Sequence, residues 1–228
     1  VNVKRPDEQR PPTPAICREP RLEAIVLAAG AGARFGGAKL LAPWRGGVLL
    51  DAALASAFAA PVRGITLAVG AEAERVAAVG EAFAARRGER NRLTIVSTPD
   101  WALGMSAPLK RAVAGLAFDV DAAFVFLGDM PLIPLSVPTA LAEALTADVD
   151  AAVPTFDGAA GHPALIGAML FPAIANLEGD RGARRLLEAL GPRLARVAAP
   201  DGGVLFDVDT RHALAEAEGR PAEMAGPG

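Results

Sequence analysis

The chain has 228 residues, 52% hydrophobic and 21% charged, with a formal net charge of −3. That length supports one sizeable core and favours one domain over two. Acidic and basic residues are interspersed, so no broad cationic face offers itself to nucleic acid or an anionic membrane, and Gly, Pro or charge interrupts every apolar run before spanning length.

Residues 1–21 combine cations with prolines and lack the apolar stretch of a secretory signal, which predicts a disordered leader. Cys17 has no second cysteine to pair with, which fits a reducing cytoplasm. From residue 22 onward, short apolar runs alternate with alanine-rich amphipathic segments. This pattern predicts βα units and an α/β fold around a mostly parallel sheet. Strands are expected at 24–28, 65–69, 93–96 and 122–127, with helices at 51–60, 73–87 and 106–116. Beyond Asp129 the reading continues with a helix at 137–145, strands at 151–154 and 164–166, and helices at 168–177 and 182–190. A strand at 205–208, a helix at 211–218 and a flexible tail over 219–228 complete one domain, 22–218.

In open α/β sheets ligands bind beyond the carboxyl ends of strands, and that rule selects two places. The first is the turn after the first strand, where Gly30, Gly32, Gly36 and Gly37 free backbone amides to converge on phosphate oxygens and Arg34 and Lys39 add full charge. It is not a dinucleotide fingerprint, because Phe35 stands where the third glycine belongs. It is not an ATPase phosphate loop either, since Ala38 occupies the lysine position and Leu40 that of the magnesium-binding hydroxyl.

The second place is Asp129, which follows the strand AAFVFL in Gly128–Asp129–Met130–Pro131. A carboxylate there suits magnesium, which takes hard oxygen ligands and shares them with substrate phosphates; it suits a turn or helix cap equally well. Near the C-terminus, Asp207 and Asp209 flank Val208 at strand spacing, so one of them can complete a metal site. Asp209 or Thr210 is also a natural N-cap for the helix that follows. His162, in a Gly–Pro loop, is a ligand, a base or a turn residue. Asp180, Arg181 and Arg184 precede or open a helix, where they hold an anion or serve as an ordinary cap with solvated arginines.

Taken together, LAAGAGARFGGAK, GMS at 104–106, LGDMP at 127–131, GHPAL at 161–165, GDRGAR at 179–184 and FDVDT at 206–210 resemble the molybdenum cofactor cytidylyltransferases. These lie within the nucleotidyltransferase group that includes the molybdenum cofactor guanylyltransferases, and the resemblance spans about residues 22–218. It implies a three-layer αβα, Rossmann-like nucleotidyltransferase fold. It also implies a nucleotide site made by Leu27, Ala28, Ala29, Gly30, Gly32, Arg34, Phe35, Gly36, Lys39, Gly104, Ser106 and Asp129, with Arg34, Lys39 and Asp129 catalytic. The implied Mg2+ ligands are Asp129 and Asp209, with Asp207 the lesser choice, and the implied acceptor side is His162, Asp180, Arg181 and Arg184.

The reaction so implied transfers CMP from CTP to the molybdopterin form of the molybdenum cofactor and releases pyrophosphate, with transient contact to a recipient molybdenum hydroxylase. No covalent enzyme intermediate is needed, in keeping with the lack of an obvious Ser–His–Asp or Cys–His set. Pro108 stands where many relatives have a second serine, which removes one hydroxyl contact. Preference for CTP rests on LAAG and LGDMP; the same fold using GTP or another phosphorylated acceptor, and a non-catalytic cofactor chaperone, are the competing readings.

Overall fold

The first strand, β1 (Leu22–Ala28), sits at the centre of the sheet because both of its faces are apolar. Ala24, Val26 and Ala28 enter one core while Ile25 enters the other, all nearly inaccessible to water. The computed structural model describes residues 19–177 and 182–219. The leader and tail expected at the two ends therefore fall almost wholly outside the described residues, as does Cys17.

A two-residue hairpin, β2 (Pro43–Trp44) and β3 (Gly47–Val48), precedes α1 (Leu49–Ala59) and then β4 (Gly64–Val69). Next come α2 (Ala73–Arg86), β5 (Leu93–Ser97), α3 (Ser106–Ala114), β6 (Ala122–Leu127) and α4 (Ser136–Ala144). The second half holds β7 (Ala151–Phe156), β8 (Ala159–Ala160), β9 (Ala164–Gly167), α5 (Phe171–Ala175), α6 (Gly182–Glu188), β10 (Leu194–Ala198) and α7 (Arg211–Glu218).

The main sheet runs β10-β7-β9-β6-β1-β4-β5, with β8 beside β7. Pairing is parallel from β6 through β5 and between β10 and β7, while β9 lies antiparallel to both its neighbours. One face carries α1, α2 and α4 over a core that includes Phe124 and Phe126; the other carries α3 and α5 over Ile25, Val125 and Ile174. Three layers result, as expected. Each fully buried phenylalanine contributes about 2–3 kcal/mol of transfer free energy to that arrangement.

From β1 the chain moves outward through β4 and β5, then returns to lay β6 on the other side of β1. The order thus reverses between β1 and β6, and this is where an open α/β sheet leaves a crevice at its carboxyl edge. Leu27 pairs with Leu127 across that boundary, so the glycine-rich turn and Asp129 emerge side by side.

Two expectations are corrected. Residues 205–208 do not form a strand: Gly202–Leu205 is a 3-10 turn and 206–209 is extended without a sheet partner, its Val208 amide bonding the Asp129 carbonyl at 3.0 Å. The last described strand of the sheet is instead β10, an edge strand whose exposed Arg196 and Ala198 dilute its apolar alternation. The helix expected over 168–177 is shorter, a 3-10 turn followed by α5.

Candidate active site

The turn that leaves β1 winds through two short 3-10 segments, Ala33–Phe35 and Lys39–Leu41, with Gly32, Gly36, Gly37 and Ala38 all at positive φ. Glycine is required at position 32 for a second reason. A β-carbon there would lie 2.8 Å from the β-carbon of Lys39, so only glycine lets the turn fold back over the lysine. Phe35 is the one buried side chain between residues 30 and 38. It anchors the turn in a small separate core with Ala42 and Trp44 of the hairpin region, Leu49 of α1, Val208, and Ala217 of α7.

Lys39 is the focus of the site. Its ammonium donates to Asp129 Oδ2 at 2.7 Å and to Asp209 Oδ1 at 3.1 Å, joining groups 90 and 170 residues away in the chain. Arg34 completes the cluster from solvent, with Nη1 2.6 Å from Asp209 Oδ2. Burial works against the charge on Lys39, but the hydrogen-bonded carboxylates of Asp129 and Asp209 outweigh it and hold the ammonium above its ordinary value. Thr210 takes the N-cap of α7 by accepting from the Ala213 amide at 3.1 Å, which leaves the Asp209 carboxylate for the cluster.

Asp129 and Asp209 also answer whether a divalent cation fits. They are two hard carboxylates converging on one positive charge, held in place by the Val208–Asp129 backbone bond. Among the described residues no group of three or more His, Cys, Asp or Glu is gathered around a common point. The protein thus offers two carboxylates, the usual number where substrate phosphates and water supply the remaining ligands. Asp207 makes no bond to Lys39, but burial, and then the neighbouring carboxylates Asp209 and Asp129, push its carboxyl above the usual range.

A cavity of about 290 Å3 opens beside the cluster. One wall is the end of β1 and its turn, from Leu27 through Gly32; the other is the segment after β5, with Trp101, Ala102, Gly104, Met105 and Pro108. Asp129 and Lys39 line it as well. Most of the expected nucleotide residues therefore share one concavity. Arg34, Phe35 and Gly36 are not on its wall, and Ser106 is buried in the first turn of α3.

His162 lies within electrostatic reach of Asp129 and Asp207, with its amide on the Val204 carbonyl at 2.9 Å and Nδ1 3.4 Å from the Val125 carbonyl. Burial lowers its pKa, partly opposed by the Val125 contact and the charges of Asp129 and Asp207, so the ring favours the neutral state. Arg184 extends from α6 into solvent, paired with Glu188 at 2.9 Å. Asp180 and Arg181 lie outside the described residues. Sequence reasoning missed Gly70, which lies behind the wall residue Trp101; a glycine directly after the apolar run ITLAV was the available signal.

A doubly wound sheet carrying a glycine-rich, cation-bearing turn opposite a strand-end aspartate defines an α/β nucleotidyltransferase fold. Residues 24–196 match the MobA-like NTP transferase domain, and the chain belongs to that family. It is 30% identical over 145 residues to the molybdenum cofactor cytidylyltransferase of Escherichia coli K12, covering 64% of this chain and 69% of that one. It is also 30% identical over 196 residues to the purine catabolism protein PucB of Bacillus subtilis, covering 85% and 94%. A third relative, the nicotine blue oxidoreductase of Paenarthrobacter nicotinovorans, is 31% identical over 202 residues, covering 84% and 93%. Among solved structures, Rv0371c of Mycobacterium tuberculosis superposes with a TM-score of 0.75 at 24% identity over 88% of this chain and 99% of its own; a complex of Rv0371c with manganese superposes at 0.69, again at 24% identity, over 86% and 97%. No helix among the described residues is long and apolar enough to cross a membrane.

Proposed function

We propose that this nucleotidyltransferase moves CMP from CTP to the terminal phosphate of the molybdopterin form of the molybdenum cofactor and releases pyrophosphate. The observation that carries the reading is the meeting of Lys39, Asp129 and Asp209 at the mouth of a backbone-lined cavity. In this reading the nucleoside enters the cavity and the triphosphate lies across the turn. Its backbone amides and Arg34 hold the β- and γ-phosphates, and Lys39 donates to a non-bridging α-oxygen.

An oxygen of the acceptor phosphate attacks the α-phosphorus in line; the new O–P bond forms as the bond to the pyrophosphate oxygen breaks. The acceptor is already ionised near neutral pH, so no side chain has to remove a proton. Asp129 and Asp209 would hold a divalent cation, Mg2+ in this proposal, which when bound neutralises charge on the phosphates. His162, Arg184 and the segment containing Asp180 and Arg181 would form the acceptor side. A recipient molybdenum hydroxylase would take the product by transient contact.

A second reading keeps the chemistry and changes the substrates to GTP or another phosphorylated acceptor. It is favoured by relatives of different names at nearly the same identity. Pyrophosphate release measured with each of the four nucleotides, with and without molybdenum cofactor, separates the two. Cofactor-dependent release specific to CTP is expected; preference for GTP, or release indifferent to the cofactor, removes the first reading.

A further inference from the structure

The cavity has one wall on β1 and its turn and another on the segment after β5, and one residue lies against both. That residue is Gly70, which directly follows β4. A β-carbon built on Gly70 would stand 2.5 Å from the Ala29 carbonyl oxygen and 2.7 Å from the β-carbons of both Ala29 and Trp101. Such distances lie well inside van der Waals contact, so any side chain at this position has to move one of its neighbours.

Ala29 is the less free of the two. Its carbonyl accepts the Ala71 amide at 3.0 Å, and it continues directly from β1, whose Ala28 is in register with Val69 of β4. The opposing wall is held more lightly. Trp101 is half-buried, its amide bonds the Thr98 carbonyl at 3.2 Å, and the same segment exposes Leu103 and Met105 to solvent. A substituent on Gly70 therefore displaces Trp101 and the wall it carries, and leaves Ala29 in place.

We infer that Gly70 and Trp101 set the width of the cavity and so act as the size filter that favours a pyrimidine over a purine nucleoside triphosphate. The inference rests on the nucleotide reading given above. Gly70 touches no ligand and is a positioning residue. Trp101 is a wall. The missing side chain at position 70 seats that wall against Ala29 and keeps the space narrow.

The test is the ratio of CTP to GTP affinity, measured by calorimetric titration of the whole chain in excess Mg2+, alongside pyrophosphate release. Both Gly70→Ala and Trp101→Ala are expected to lower the CTP:GTP ratio by about tenfold, the scale on which an apolar pocket discriminates by size. A melting curve for each variant reports any purely structural role. Unchanged ratios in folded Trp101→Ala overturn the inference whatever Gly70→Ala does, because Trp101→Ala adds no clash. If both ratios hold while only the melting temperatures fall, Gly70 is a packing residue and the inference is wrong. A wild-type chain that binds neither nucleotide overturns it together with the nucleotide reading. Loss of binding selectivity without any pyrophosphate release supports the inference and sinks nucleotidyl transfer alone.

Discussion

At the scale of single residues, Lys39 bridges two carboxylates, and in the proposed mechanism the same ammonium meets a phosphate. With its side chain 12% exposed and two acceptors within 3.1 Å, it cannot turn away without leaving a charge unpaired. Removing the partner carboxylate should be as damaging as removing the cation. Asp129→Ala and Lys39→Met are each expected to cut turnover on the order of 10²-fold or more, by analogy with the loss of single charge-stabilising groups in other sites. The double variant should be little worse than either single one, because the pair acts as a unit. Single-turnover rates with saturating nucleotide check this, and near-normal turnover in Asp129→Ala would contradict the proposed mechanism.

Among the elements, α7 has a closer tie to the glycine-rich turn than its place at the far end of the described chain suggests. The guanidinium of Arg211 stands 4.9 Å from the centroid of the Phe35 ring, over the only buried side chain of the turn. A partly exposed contact of this kind contributes about 0.5–1 kcal/mol, so Arg211→Ala should raise the KM for nucleotide by about two- to fivefold and change kcat little. Arg211→Lys should recover part of that loss; steady-state kinetics on the three forms decide it. The central strands and the helices over them were legible in the sequence, because β1 and β6 are apolar on both faces and the helices repeat every three to four residues. The glycine-rich turn was legible too, from its spacing. What misled was the apolar Val208, which suggested a strand although its burial comes from packing on Phe35 and its amide bonds a strand-end carbonyl. The closure of Lys39 on both aspartates was not readable from spacing, since separations of 90 and 170 residues say nothing about distance until the topology is known. Gly70 escaped for the same reason: the neighbours that forbid a side chain there come from β1 and from the segment after β5.

For the molecule as a whole, charge is divided between the two ends of the sheet. At the end opposite the site, Asp119, in the loop before β6, ties Arg63 at the start of β4 to Arg21 at the start of β1, with Arg63 Nη1 at 3.0 Å. The bond from Arg63 holds the Asp119 carboxyl down at about 2, below its ordinary 3.8. A depressed carboxyl stabilises the fold above its unfolded value and loses that contribution as pH falls through its folded one. Asp119→Asn should therefore lower the melting temperature at pH 7, by a few degrees at most for so exposed a pair, and the difference should close between pH 4 and pH 2. Melting curves across that range test it, and turnover should not change. The end that carries the candidate site is arranged differently, for the stretch that matches the family stops at residue 196 and Asp209 comes after it. A growing polypeptide that has left the ribosome only as far as β10 holds every described strand of the main sheet yet still lacks Asp209. In the proposed mechanism, competence would arrive abruptly, only once the stretch through Asp209 has been made, and a copy lacking it would be inert.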